Sequence, residues 1–167
     1  VLNDENIPAY AENNKGYFQT FEVRKILAIL AAIDNPYSDV DLTAFLNSEI
    51  VGMTDLELAN IVSDYRKKQN IEKSKKIRMM DAIIFEENEG SIEEATKEKI
   101  RKAIEFLDEY GKKSTYMNIQ ALLQDIYNKT DFLNIIAAMP GGQVRRANLM
   151  LLISKAGTFG NSGYSGL

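Results

Sequence analysis

The sequence predicts an all-α fold, an irregular bundle of seven or eight short helices preceded by a short N-terminal extended strand. Three observations predict it. Apolar residues recur at three- and four-residue spacing in one segment after another. Cap residues, glycine and proline separate those segments, rather than hairpin turns. The spacings between segments differ too much for a solenoid repeat. With 167 residues, 45% of them hydrophobic, the chain can bury roughly 70% of the surface that it exposes when unfolded.

The opening NIPAYAE carries Pro8 and alternating character, which suggests a strand within a lead-in of residues 1–16. FEVRKILAILAAI then places Phe21, Val23, Ile26, Leu27, Leu30 and Ile33 on one broad helical face. Asn35-Pro36 stops that helix, because proline disfavours helical geometry in the residue before it. Ser38 is placed to cap a short helix carrying Leu42, Phe45 and Leu46. In SEIVGMTDLELANI, Gly52 marks a corner, and Thr54 with Glu57 matches a capping box opening a helix that buries Leu58, Ile61, Val62 and Tyr65.

RKKQNIEKSKKIR, residues 66–78, holds seven basic residues and one glutamate. It reads as a solvated linker or as a phosphate-facing patch. IRMMDAIIF resumes the helical pattern. Ser91 and Glu94 match a second capping box, opening a long charged helix with Ile92, Ala95, Ile100, Ala103, Ile104 and Leu107 inward. Glu98 and Lys102 lie four apart on its surface, and Gly111 is expected to end it. NIQALLQDIY and DFLNIIAAM give two more apolar turn series, and Pro140-Gly141-Gly142 breaks the pattern before QVRRANLMLLISKA. The helical domain is expected to span residues 17–157, followed by a glycine-rich, truncated tail at 158–167.

Composition excludes several chemistries. The sequence has neither cysteine nor histidine, so disulfides, thiolate metal sites, the commonest general base and the commonest metal ligand are all missing. No metal site is expected. No apolar run approaches the ~20 residues that cross a bilayer, so a soluble, cytoplasmic chain with no membrane partner is expected. The chain opens on Val1 and closes within a glycine-spaced stretch, which suggests a segment of a longer polypeptide.

The net charge of −4 is uneven: residues 1–64 carry three basic and eleven acidic side chains, and the remainder carries seventeen and thirteen. That balance argues against a free-standing, tight nucleic-acid binder. Gly111-Lys112-Lys113-Ser114 approaches a phosphate loop but lacks its first glycine and any preceding strand. The carboxylate pairs Asp39/Asp41, Glu86/Glu87 and Glu93/Glu94 mostly fall in first helical turns, where acids complement the helix dipole. Capping is their simpler explanation, and no catalytic residue is assigned.

A helix start behind a glycine corner can offer amides to a phosphate. The candidate contacts are Gly52, Met53 and Thr54, with Lys67 and Lys68 one helix further on. One such contact contributes about 0.3–1 kcal/mol, whereas even non-specific DNA binding needs roughly 5–8 kcal/mol. The corner could only assist a larger machine.

Three stretches together resemble UvrD/PcrA-like superfamily 1 DNA helicases, and in particular the large helicase–nuclease component of the AddAB type. They are NIPAYAENNKGYFQTFEVRKILAILAAIDNP, DVDLTAFLNSEIVGMTDLELANI and IYNKTDFLNIIAAMPGGQVRRANLMLLI, in that order. The middle, about 63–115, is alike only in being helical and charged. The resemblance implies the helical accessory domain, called 2B, that is inserted in the second motor domain. It implies a parent that hydrolyses ATP with Mg²⁺, unwinds DNA, carries an exonuclease and acts in double-strand-break repair. Its partners would be duplex DNA, its own motor domains and an AddB-type second subunit.

The same resemblance implies no cofactor and no catalysis in this segment. Gly52, Met53 and Thr54 match the corner that touches the duplex in relatives, although Thr54 stands where relatives often have a second glycine. Arg146, Asn148 and Leu149 match a helix whose role is taken as packing, and Arg145 has no implied role. A helical protein-interaction module is the alternative function.

Overall fold

The computed structural model describes residues 16–161, and the lead-in strand expected at 6–12 and most of the glycine-rich tail lie outside them. The described residues contain eight helices after a helical turn at 16–18, and no strand. They are α1 (Phe21–Asp34), α2 (Asp39–Leu46), α3 (Asp55–Lys68), α4 (Met79–Asn88), α5 (Glu94–Ser114), α6 (Ile119–Thr130), α7 (Phe132–Ala137) and α8 (Gly142–Asn161).

Helix α1 lies at the centre, against α2, α5 and α8. Its Val23, Ile26, Ile29, Leu30, Ala32 and Ile33 are buried. Phe21 and Leu27, expected inward, are exposed instead, because the face pointing at the core is rotated toward Ile29 and Ala32. Leu42, Phe45 and Leu46 of α2 are fully buried, as expected. Phe45 stacks on Phe106 of α5 with ring centroids 5.1 Å apart, and Phe106 in turn lies 4.4 Å from Tyr110. Leu58 and Ile61 of α3 enter the core, while Val62 and Tyr65 are half-buried. Helices α6, α7 and α8 pack on one another as a second group, with Leu122, Leu123, Ile126, Phe132 and Leu149 inward. Gly142 is required where α8 begins, since a Cβ there would collide with the Ala137 carbonyl oxygen.

Several local expectations change. Gly111 does not end α5, which continues to Ser114. Glycine inside a helix costs only about 1 kcal/mol, and the following turn is anchored by Lys113, paired with Glu109 and with Asp125 of α6. Ser91 and Glu94 do not form a capping box: the α5 N-cap is Glu93 and accepts no side-chain hydrogen bond. The Ser91 amide and hydroxyl both donate to Asp64 of α3. Ala95 is exposed, and Thr96 takes the buried position. Ser38 is the α2 N-cap, but its hydroxyl donates to Asp41 at 2.6 Å rather than accepting an amide. Glu98 and Lys102 do pair, at 3.6 Å. Among the described residues, no helix is long and apolar enough to cross a membrane.

Candidate nucleic-acid interface

The corner between α2 and α3 is built by backbone bonds. The Gly52 amide donates to the Ser48 carbonyl at 2.7 Å, and the Met53 amide donates to the Leu46 carbonyl at 2.9 Å. Gly52 sits at φ 70°, the left-handed region, and no heavy atom lies within 4 Å of where its Cβ would be. Met53 turns its side chain into the core and is 3% exposed. Thr54 and Glu57 form the expected capping box. The Thr54 hydroxyl oxygen accepts from the Glu57 amide at 3.2 Å, and Glu57 Oε2 accepts from the Thr54 amide at 2.7 Å.

Glu57 also joins the corner to α5. Its carboxylate accepts from Lys99 Nζ at 2.7 and 3.0 Å and from the Thr96 hydroxyl at 3.2 Å, while Lys99 donates to the Gly52 carbonyl at 2.9 Å. The Lys99 hydrogen bond, then the Thr54 amide, hold the Glu57 carboxyl down at about 2. All three candidate amides therefore have internal acceptors. An incoming phosphate would meet the carboxylates of Glu57 and Asp55, with Lys99 already bridging. Of the three candidates, Gly52 and Thr54 offer surface and Met53 does not.

Lys67 and Lys68 are not one helix further on. They lie in the last turn of α3 itself, the helix that Thr54 caps. Thirteen residues at 1.5 Å each put them about 20 Å from the corner. The structure does not gather the five candidate residues into one site. Lys68 pairs with Asp64 at 3.6 Å, and Lys67 is exposed.

Arg145, Arg146, Asn148 and Leu149 divide in role. Leu149 is fully buried, and Arg146 is exposed, so packing describes the first and not the second. Asn148 Nδ2 donates to Glu22 Oε1 at 2.7 Å, and its carbonyl accepts from the Tyr17 hydroxyl at 2.7 Å. Arg145 donates to Glu22 Oε2 at 3.2 Å and to the Pro140 carbonyl at 3.1 Å, and its guanidinium lies 4.9 Å from the Phe21 ring. Glu22 is only 3% exposed. Burial pushes its carboxyl up, but the bonds from Asn148, its own backbone and Thr20, with the Arg145 charge, hold it below the usual range. This clamp ties α1 to α8 across more than 120 residues. Sequence reasoning misses it. The available signal is an acid, Glu22, beside the inward Val23 of a strongly apolar helix.

A second buried carboxyl, Glu86 of α4, is missed in the same way. It is fully buried beside Asp64. Burial, then the Asp64 charge, pushes it up to about 7. Among the described residues no cluster of acids could hold a metal ion. Elsewhere on the surface, α1 and α2 flank an open groove of about 830 Å³ with Leu27, Ala28, Ala31, Val40 and Ala44 along it and Arg24, Lys25, Asp41 and Asp55 around it.

Comparison with known proteins locates this architecture. The family model described as UvrD-like helicase C-terminal domain matches residues 1–162. A protein of Listeria welshimeri, named as a subunit of an ATP-dependent helicase/nuclease, is 35% identical over 163 residues, covering 98% of this chain and 12% of its own length. Its namesakes in Clostridium botulinum (strain Alaska E43) and Acetivibrio thermocellus are 34% and 36% identical, covering 100% and 96% of this chain. The chain spans about one eighth of the length of these relatives.

Proposed function

Because the chain belongs to the family of UvrD-like helicase C-terminal domains, we propose that residues 17–157 are the helical accessory domain of an ATP-dependent helicase/nuclease. In this reading the domain positions duplex DNA and neighbouring domains and does no chemistry itself. The carrying observation is the relationship to proteins named ATP-dependent helicase/nuclease subunits over nearly the whole chain. The whole protein would hydrolyse ATP with Mg²⁺, unwind and degrade DNA ends in repair, and work in the cytoplasm beside an AddB-type second subunit.

Within this proposal the corner is a structural joint first. A duplex phosphate would approach it only at Gly52 and Thr54. The test compares Gly52→Asn with Gly52→Asp in the intact helicase/nuclease. Both residues tolerate left-handed backbone better than other side chains, and both side chains enter open space, so they differ mainly in charge. Phosphate contact predicts slower duplex unwinding for Gly52→Asp than for Gly52→Asn at equal thermal stability. Equal unwinding by the two leaves the corner without a DNA role.

A second reading, a helical protein-interaction module, draws on the α1/α2 groove, where Phe21 is 47% and Val40 80% exposed. It predicts that Val40→Glu with Leu27→Glu weakens a salt-insensitive protein association while duplex binding keeps its salt dependence.

A further inference from the structure

We propose that the loop of residues 69–78, together with Lys67, is a second surface for the phosphate backbone of duplex DNA, separate from the glycine corner. The inference rests on the reading of the chain as part of a DNA-processing enzyme. The loop is a built feature. Arg66, in the last turn of α3, folds its guanidinium back to donate to the carbonyls of Glu72 and Lys75. The Ile71 amide donates to the Arg66 carbonyl at 3.0 Å, the Lys75 amide to the Glu72 carbonyl at 3.0 Å, and half-buried Ile77 packs on the core. At the far end, Asp39 of α2 accepts from the Met79 amide at 2.9 Å and pairs with Lys76 at 3.2 Å.

These anchors use Arg66 and Lys76, and Lys68 is held by Asp64. Lys67, Lys73, Lys75 and Arg78 are left exposed, and none forms an ion pair among the described residues. Three of the seven cations, Arg66, Lys67 and Lys68, are explained by the negative C-terminal end of α3. Lys73, Lys75 and Arg78 are not. Arg78 is the N-cap of α4, with Lys75 and Lys73 just before it, so cations stand at the helix end where the dipole disfavours them. Asp39 and Asp81 offset part of that charge, and Glu72 is the loop's one acid. Like charges held close together on a fixed loop repel one another, and an anion brought in from outside relieves that repulsion.

Scale fits a nucleic-acid backbone. Fully extended, Lys73 to Arg78 would span about 17 Å; the turn closed by the Lys75 amide on the Glu72 carbonyl shortens it, so the loop faces fewer than about five phosphates of one strand at 3.4 Å each. The loop and the Thr54 corner sit at opposite ends of α3, about 20 Å apart, so they would touch the duplex as two points rather than one.

The test is the salt dependence of duplex binding by the intact helicase/nuclease without nucleotide. Replacing Lys73→Gln, Lys75→Gln and Arg78→Gln together leaves the Arg66 anchor in place and removes three phosphate contacts. The slope of log affinity against log salt should fall in magnitude by about 2.7 on duplex. Between 50 and 200 mM salt the wild type should then lose about 40-fold more affinity than the variant. A charge-matched control, Lys102→Gln, Lys112→Gln and Lys129→Gln, should keep the wild-type slope, and Lys75→Gln alone should change it by about 0.9.

An unchanged slope in the loop variant, or an equal change in the control, overturns the loop surface while the helicase/nuclease reading stands. A change on single-stranded DNA with none on duplex overturns the duplex commitment. A wild-type enzyme with no salt-dependent duplex binding overturns both the loop and the function proposed above.

Discussion

Replacing Glu86 with Gln should stabilise the protein at neutral and alkaline pH, and by a pH-dependent amount. Glu86 is fully buried against Asp64. Its carboxyl is pushed from the usual 4.5 up to about 7 by burial and by Asp64. A carboxyl with a raised folded-state pKa is an advantage only while protonated. Its stability contribution is fully present below the unfolded value of about 4.5 and is lost as pH rises to about 7. The shift corresponds to about 3 kcal/mol between those limits. Glu86→Gln keeps the size and removes the titration. Urea unfolding of variant and wild type at pH 4.5, 6 and 8 should show a stability difference that grows by about 2–3 kcal/mol toward pH 8. With a slope of about 2 kcal/mol/M, that is a midpoint change of about 1–1.5 M. Taking the change between pH values cancels any constant packing penalty of the amide. A difference that stays flat with pH, or shrinks, would refute the buried, charge-strained Glu86.

Other consequences concern the clamp, the core and the corner. Arg145→Met leaves the Glu22 carboxylate buried with only Asn148 and local partners, and should cost about 2–4 kcal/mol. Glu22→Gln with Arg145→Met should recover part of that loss, and additive effects in the double-mutant cycle would argue that the pair is uncoupled. Leu149→Ala should cost about 3 kcal/mol by opening a core cavity, whereas Arg146→Ala should stay within about 0.5 kcal/mol, and thermal melts that fail to separate them contradict the packing. The Glu57 carboxyl, held down at about 2 chiefly by Lys99, contributes stability present above its unfolded value of about 4.5 and lost as pH falls toward 2. Lys99→Met should therefore be less stable than wild type at pH 6, by a margin that narrows near pH 2.5. A constant margin would mean that the pairing does not set that pKa.

What the sequence reveals follows from how local each feature is. The Thr54–Glu57 box and the Asn35-Pro36 stop involve residues one turn apart, so pattern and structure agree. Ser91 has the same pattern as Thr54 but faces Asp64, a partner 27 residues away, and the long-range bond wins. Gly111 fails as a stop because α6 anchors the turn beyond it through Asp125. Lys67 and Lys68 look separate from the helix behind Thr54, because the continuous run from Asp55 to Lys68 leaves its apolar pattern after Tyr65. Glu22 with Arg145, and Glu86 with Asp64, are contacts between helices that no single-helix period contains. Their partners become visible only when the helices are packed.

Photo-crosslinking in the intact helicase/nuclease bound to a duplex with a single-stranded tail tests the positioning role most directly. The crosslinker would be placed in turn at Leu56, beside the corner and 70% exposed, at Lys75 in the basic loop, and at exposed Glu105 as a control. The account predicts adducts from Lys75, and from Leu56 if the corner contacts phosphate, within the double-stranded part, and none from Glu105. Adducts confined to the single-stranded tail, or Lys75 crosslinking to protein alone, would contradict it.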